Sequence, residues 1–273
     1  MPLKAKSKTA PKTLPPVRPN LGTQAIYRQR LDKLINEMND SVLYWIKATY
    51  KSNEPAIAQD ALPYAVLQRV IRKLSRRWQR QFDELGPKLA EYSTKAANQR
   101  TSKQFEKMLD DAGMTVNFKM TREMRDVMNA TIEEQVGLIK SIPQQYFTNV
   151  QGSVMRSVIS GRDLGDLSKE LQKQHGITKR RAALISRDQN NKATASMVRV
   201  RQQELGIKEA IWLHSSGGKV PRPTHYSNNG KKYDIIKGWF DKDAHGKGKG
   251  AWIRPGELIN CRCVSRSVVP GFE

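Results

Sequence analysis

The sequence predicts a mainly α protein, with an extended helical N-terminal region and a C-terminal α+β module that ends in a small, loop-rich β unit. Over most of the first 206 residues, apolar side chains recur every three or four positions, the spacing that buries one face of a helix. After Gly206 the pattern changes to short strand-like segments separated by turn residues. Hydrophobic residues make up 38% and aromatic residues 7% of the chain, which indicates a folded but extended protein.

We predict three parts along the chain: a flexible arm over residues 1–20, a helical domain over 21–148 and the α+β module over 149–273. Within the module, helices are expected over 150–206 and the β unit over 207–273. The arm is proline-rich and free of acids, so it cannot bury enough apolar surface to offset its ordering entropy. It either binds a polyanion or is an inert, solubilising tail. Its cations are Lys4, Lys6, Lys8, Lys12 and Arg18.

The charge of the chain is strongly positive: 48 Lys and Arg against 26 Asp and Glu give a formal net charge of +22. A field of this sign attracts polyanions, so a nucleic acid or an acidic protein surface is the expected partner. Every apolar run is interrupted within a few residues, so we expect neither a membrane span nor a secretory signal. With only two cysteines the chain has no disulfide framework, which is typical of proteins in a reducing cytoplasm.

Two long amphipathic helices are expected over residues 23–50 and 63–85. Their buried stripes are predicted to be Tyr27, Leu31, Leu34, Met38, Val42, Trp45 and Ile46 in the first, and Leu67, Ile71, Leu74, Trp78, Phe82 and Leu85 in the second. Gly86-Pro87 is expected to end the second helix, because proline lacks a backbone N–H. Further helices are expected over 88–112 and 121–140, and the second of these is expected to bury Met124, Val127, Met128, Ile132, Val136 and Ile139.

The second helix has a dense basic face outside its apolar stripe. Like charges at four-residue spacing cost a few tenths of a kcal/mol per pair, so the face is either a solvated surface or one that binds an anionic partner. We favour the anionic partner, because uncompensated repulsion on a helix indicates one. The face comprises Arg69, Arg72, Lys73, Arg76, Arg77 and Arg80.

The C-terminal module is expected to begin with three helices ended by glycines. The first runs from about residue 149 to Gly161, the second from 163 to Gly176, and the third from Thr178, as its N-cap, to Gly206. Strands are expected over 210–214 and 261–269, with a tight turn over 227–230.

Cys261 and Cys263 suggest a metal site. On a strand, both side chains would point to the same face, so both sulfurs could bind one ion, whereas a disulfide between them would be strained. His225 is the best third ligand, and His214 or His245 could be the fourth ligand of a zinc ion, the one cofactor we consider. The alternative is a pair of packed thiols, with His225 orienting its loop through Arg222 and Asp234.

A basic, glycine-rich stretch over residues 231–254 carries aromatic side chains between its cations. Basic and aromatic residues together can bind phosphate and stack on bases, which makes Lys247 and Lys249 candidate nucleic-acid contacts. The alternative is a mobile surface loop that its tryptophans anchor to the β unit.

The C-terminal pattern resembles the phage Mu F-like minor head protein family over roughly residues 150–265. The segments that carry the resemblance are the glycine-punctuated helices of 152–207, IWLHSS at 211–216, PRPTHYSNNGKKYD at 221–234 and RPGELINCRC at 254–263. Their order is more specific than any one of them. The motif positions are Arg222, Pro223, His225, Gly230, Asn260, Cys261 and Cys263.

The resemblance implies a minor capsid protein of a tailed bacteriophage, present in few copies inside the head near the portal vertex. Such a protein acts in head assembly and often in DNA packaging or ejection, and it is in the host cytoplasm during assembly. The implied partners are the portal protein and phage DNA, with the major capsid or scaffold protein as further candidates. No enzyme activity follows. The alternatives are a metal-dependent nuclease, in which His225, His245 and the cysteines would form the site, and a non-viral nucleic-acid-binding protein.

Overall fold

The computed structural model describes residues 12–51, 64–159, 164–217 and 220–269. Four long helices dominate, followed by short strands, so the predicted mainly α class with a small β unit is confirmed. The helices are α1 (Leu21–Lys51), α2 (Tyr64–Asp110), α3 (Arg122–Ile159), α4 (Leu164–Glu204) and the short α5 (Pro223–Ser227). The strands are β1 (Lys12–Thr13), β2 (Glu209–Leu213), β3 (Lys232–Asp234), β4 (Trp239–Asp241), β5 (Ala251–Ile253) and β6 (Val264–Val269).

The described chain forms two compact units, each made of segments that are distant in sequence. One, the helical unit, comprises residues 25–91 and 132–186; the other, the mixed unit, comprises 1–24, 92–131 and 187–273. The predicted domain boundaries after residues 20 and 148 therefore stay predictions.

The helical unit has one apolar core to which all four long helices contribute. Tyr27, Phe82 and Tyr146 are among its largest fully buried side chains. The Tyr146 hydroxyl donates to Asn39 Oδ1 at 3.1 Å, so this buried hydroxyl group has a hydrogen-bond partner inside the core. The predicted stripes are largely buried here, but Trp45 is 46% exposed and does not belong to the first stripe.

Three predicted helix ends are wrong. α2 continues through Gly86-Pro87, with Phe82 and Leu89 buried on either side, and α4 continues through Gly176. Thr178 is not an N-cap; its hydroxyl donates back to the Gln174 carbonyl at 2.8 Å inside α4. The helix predicted to end at residue 140 does not end there, because α3 continues through Pro143. α3 therefore includes the helix that was predicted separately from residue 149 onward. Burial of the apolar stripe on both sides of each expected stop outweighs the local signal.

The mixed unit contains an antiparallel four-stranded sheet in the order β1-β6-β2-β3 and a separate β4–β5 hairpin. β6 and β2 are the two inner strands, and Trp212 of β2, opposite Ser265 of β6, is fully buried. The predicted strand over 210–214 is confirmed within one residue, and Asn228–Gly230 forms the expected turn before β3. The final strand begins at Val264 instead of Cys261, because Cys261 closes a turn by donating its N–H to Leu258 O.

The described end of the predicted arm, residues 12–20, packs against other parts of the mixed unit. Lys12 and Thr13 pair with Val269 and Val268 of β6, and Leu14 and Val17 are buried. These two apolar side chains pack in a small cluster with residues of α2 and α4, which offsets the entropy of ordering this segment. Residues 1–11 lie outside the described part of the chain. None of the described helices is long and apolar enough to cross a membrane.

Candidate metal centre and cationic helix face

The first candidate site is built around His225 in the mixed unit. Pro223 begins α5, where a proline is tolerated because the first helical N–H has no partner within the helix. This short helix places His225 in the interior, where its side chain is 3% exposed and its ring meets Trp212 edge to face at 5.1 Å between centroids.

Cys261 and Cys263 both face the same nitrogen of that ring. Their Sγ atoms lie 3.4 Å and 3.7 Å from His225 Nδ1. All three candidate ligand atoms lie within 4.8 Å of one another, and all three residues are buried. The predicted convergence of the three residues is thus present in the structure, although the two cysteines precede the strand.

The other ring nitrogen of His225 faces a buried carboxylate. Nε2 lies 3.6 Å from Asp241 Oδ2, just beyond hydrogen-bonding distance, and is otherwise unpartnered. Asp241 is 1% exposed; its Oδ2 accepts a hydrogen bond from Thr224 Oγ1 at 2.9 Å, and its Oδ1 accepts one from the Asp243 N–H at 3.0 Å. The carboxylate is therefore held in place at the end of β4 beside the histidine.

The two thiols are electrostatically coupled. The hydrogen bond from Cys263, aided by His225 and opposed by burial, lowers the pKa of the Cys261 thiol to about 4. The same hydrogen bond, together with burial, raises the pKa of Cys263. In the absence of a metal the pair therefore favours one thiolate and one thiol, with the negative charge on Cys261.

A small cavity of about 50 Å³ opens beside these ligands. His225, Cys261 and Cys263 line it together with His214, Arg222 and Arg262, among others. His214 is half-buried there, and its Nδ1 accepts the Ser216 N–H at 3.1 Å. His245 is exposed and does not belong to the group of converging ligand atoms among the described residues.

The partners expected for His225 were Arg222 and Asp234, and the structure corrects both. Arg222 instead donates to the Ile259 carbonyl at 3.0 Å, and Asp234 Oδ1 accepts the N–H groups of Ile236 and Lys237 in its own turn. The partner that sequence reasoning missed is Asp241, whose only signal was its place among the few acids of the β unit.

Hydrogen bonds with three residues of α4 hold the end of the motif at Asn260 in place. Asn260 has a left-handed φ of 59°, a conformation that asparagine tolerates. Its N–H donates to Asp188 Oδ1 at 2.6 Å, and Arg187 donates to its side-chain oxygen at 3.2 Å. Asn191 donates to the Cys261 carbonyl at 3.3 Å, so α4 positions the cysteine segment directly.

The second candidate site is the basic face of α2, in the helical unit. Arg69, Arg72, Lys73, Arg76, Arg77 and Arg80 are all exposed. No ion pair joins any of the six to an acid of the described ranges. Arg72 and Arg76 also line a cleft of about 230 Å³ with Gln144, Thr148 and Gln151 of α3.

The remaining predicted contacts belong to neither of these two groups of residues. Lys247 and Lys249 are exposed on the loop of the β4–β5 hairpin, which Asp243 Oδ1 braces by accepting the Gly248 N–H at 2.8 Å. Phe240 and Trp252 pair across this hairpin and are about half exposed. Arg18 is exposed; Lys4, Lys6 and Lys8 lie outside the described residues, and only the backbone of Lys12 is described.

Comparison with known proteins gives a relative and a family match. A stretch of 146 residues is 32% identical to an uncharacterized protein of Haemophilus influenzae (strain KW20 / Rd), covering 54% of this chain and 30% of that relative. The chain therefore spans less than a third of that relative's length. No solved structure matches the chain. Residues 148–266 match the family model described as phage Mu protein F like protein, the segment that holds α4, His225 and the two cysteines. Over residues 148–266, a little less than half of its length, the chain is therefore similar to the phage Mu protein F-like family.

Proposed function

We propose that this protein is a minor head protein of a tailed bacteriophage that binds the portal protein and the genomic DNA. It acts in head assembly and in DNA packaging or ejection, inside the head near the portal vertex. The family match over residues 148–266 is the observation that carries the proposal. The net charge of +22 supports a polyanionic partner, which the DNA of the head would supply.

The basic face of α2 is the DNA-binding surface in this proposal. Residues 69–80 of a helix rise by about 17 Å, so six exposed cations give roughly one positive charge per 3 Å. Double-stranded DNA carries one negative charge per about 1.7 Å of its axis, so a face of this density can neutralise several phosphates. Because the six cations have no acidic partner among the described residues, binding DNA would break no ion pair there.

The cleft beside Arg72 and Arg76 supports the same role. Its rim carries side-chain amides and hydroxyls of α3 together with the two guanidinium groups, while Ile71 and Phe147 form its apolar part. Guanidinium, amide and hydroxyl donors are the groups that most often contact phosphate oxygens. The cleft would fix the register of a nucleic-acid backbone on the helix.

A structural role is better supported than catalysis. His225, Cys261 and Cys263 are 3%, 3% and 5% exposed, whereas a hydrolytic metal must be open to a scissile phosphate. The cavity beside them, at about 50 Å³, holds little more than one or two water molecules. The protein is therefore proposed to bind DNA without cleaving it.

The test is reconstitution with the portal protein encoded by the same phage genome. The full chain is co-expressed with a tagged portal protein and, in a parallel culture, with a tagged major capsid protein, and each complex is isolated at matched salt. We expect recovery with the portal protein well above that with the capsid protein, and in purified particles a copy number far below that of the capsid protein. Failure to co-purify with the portal protein, or absence from particles, would contradict the proposal.

A further inference from the structure

The geometry of the His225 cluster fits a tetrahedral metal. With Zn–S near 2.3 Å and Zn–N near 2.0–2.1 Å, tetrahedral angles place a sulfur and a nitrogen ligand about 3.6 Å apart. The observed Sγ to Nδ1 distances of 3.4 Å and 3.7 Å bracket that value. Both sulfur–nitrogen distances therefore already have the spacing that one zinc ion requires, and the two sulfurs lie within 4.8 Å of each other.

Packed thiols explain the same arrangement less well. A single ring nitrogen can share one hydrogen with one sulfur, yet both Sγ atoms face Nδ1 of His225. The other nitrogen, Nε2, is buried and unpartnered at 3.6 Å from Asp241 Oδ2. With a metal on Nδ1, the proton must be on Nε2, where a shift of a few tenths of an ångström gives it a carboxylate acceptor.

One further contact favours negative charge on sulfur. The Gly256 N–H points at Cys261 Sγ at 3.4 Å, and Gly256 reaches this position with a left-handed φ of 83°. Backbone N–H donors and an outer carboxylate on the ligand histidine are the features that surround bound zinc in proteins. Soft thiolates with an imidazole favour zinc over the hard cations magnesium and calcium.

We propose that His225 Nδ1, Cys261 Sγ and Cys263 Sγ bind one zinc ion, with Asp241 orienting the histidine and a water molecule in the adjoining cavity as fourth ligand. The cavity is large enough for that water, and the Arg222 and Arg262 side chains line it. The ion links α5 to the segment that leads into β6. Because Asp241 of β4 lies beside His225, the ion is also connected to β4. The zinc is a structural clip for the small β unit, and this inference does not depend on the head-protein proposal.

The first experiment measures metal in the full chain. The protein, purified without a histidine tag and under reducing conditions, is desalted and its metals are quantified by mass spectrometry. We expect about one zinc per chain, a loss of most of it in Cys261→Ser and in Cys263→Ser, and no change in the control His245→Ala. Zinc at a small fraction of one per chain in the wild-type protein would overturn the proposal.

The second experiment needs no variant, so a folding defect cannot obscure it. Cobalt(II) added to the zinc-free wild-type chain is expected to give intense tetrahedral d–d absorption and thiolate-to-cobalt charge-transfer bands, both displaced by zinc. A weak octahedral spectrum without charge-transfer absorption would overturn the site.

The fourth position has its own test. His214→Ala is expected to leave the zinc content and the cobalt spectrum unchanged, because a water molecule completes the coordination. A loss of zinc as large as that in Cys261→Ser would show that the protein supplies all four ligands and would overturn the open position.

Discussion

At the scale of single residues, the mixed unit contains a buried cation, Arg201, that donates hydrogen bonds from all three of its side-chain nitrogens. Arg201 is 2% exposed; it donates to Ser102 Oγ, to the Lys119 carbonyl at 2.8 Å and to Glu204 Oε2 at 2.8 Å. Its guanidinium group also lies over the Phe118 ring at 4.6 Å. The planar fork of donors lets one side chain join α4, α2 and the segment before α3.

Arg201→Met is expected to lower the free energy of unfolding by about 3 kcal/mol, the lower end for breaking a buried ion pair. The lower end applies because Glu204 is partly exposed and keeps its hydrogen bond from Thr121 at 2.7 Å. Urea unfolding followed by circular dichroism measures the change. The exposed Arg180 of the same helix is the control, and Arg180→Met is expected to change stability by less than about 0.5 kcal/mol. Equal losses in both variants would contradict the role given to Arg201.

A comparison of Gly256 with Gly230 distinguishes the stability cost of backbone strain from the cost of a close packing contact. Both have left-handed φ angles, 83° and 81°, but a Cβ at Gly256 would lie 2.7 Å from Ala195 Cβ of α4, whereas one at Gly230 would meet nothing within 4 Å. Gly230→Ala is expected to cost about 1 kcal/mol, and Gly256→Ala clearly more, measured by thermal unfolding. Adding Ala195→Gly to Gly256→Ala should recover part of the loss. Similar costs at the two glycines would show that the approach to α4 is not tight.

At the scale of elements, the sequence predicted which faces are buried better than where helices end. The stripe from Leu67 to Phe82 is buried, because three-or-four spacing depends only on the geometry of the helix. The Gly86-Pro87 stop was wrong because a local signal says nothing about the core in which Phe82 and Leu89, on either side of the stop, are both buried. The sequence placed His225 with the two cysteines because all three belong to the small β unit. The His225–Asp241 pair was missed because it depends on where β4 lies in the folded unit.

Pro87→Ala is expected to stabilise the helical unit by about 1–3 kcal/mol. Pro87 is exposed within α2, so alanine restores a backbone N–H without removing buried surface. Pro143, inside α3, is buried, and Pro143→Ala is expected to gain less because lost packing offsets the restored hydrogen bond. Chemical unfolding of both variants measures the difference. A loss of stability in Pro87→Ala would mean that the proline shapes α2 in a way that the core requires.

At the scale of the whole molecule, the excess of positive charge is not confined to one surface. Exposed cations also occur on the second half of α2, at Arg100, Lys103 and Lys107, and on the hairpin loop at Lys247 and Lys249. A net charge of +22 would give a general attraction to DNA whichever residues made contact. A specific surface must therefore be distinguished from this background by the number of phosphates that it neutralises.

The salt dependence of DNA binding makes that distinction. Each phosphate contact contributes about 0.9 to the slope of log K against log salt, so replacing Arg72, Arg76 and Arg80 by Gln should reduce the slope by about 2.7. Replacing Arg100, Lys103 and Lys107 by Gln removes the same charge from the same helix and should leave the slope nearly unchanged. Fluorescence anisotropy with a short duplex between about 50 and 200 mM salt gives both values. If the two triple variants lose the same slope, general charge and not the basic face of α2 accounts for DNA binding.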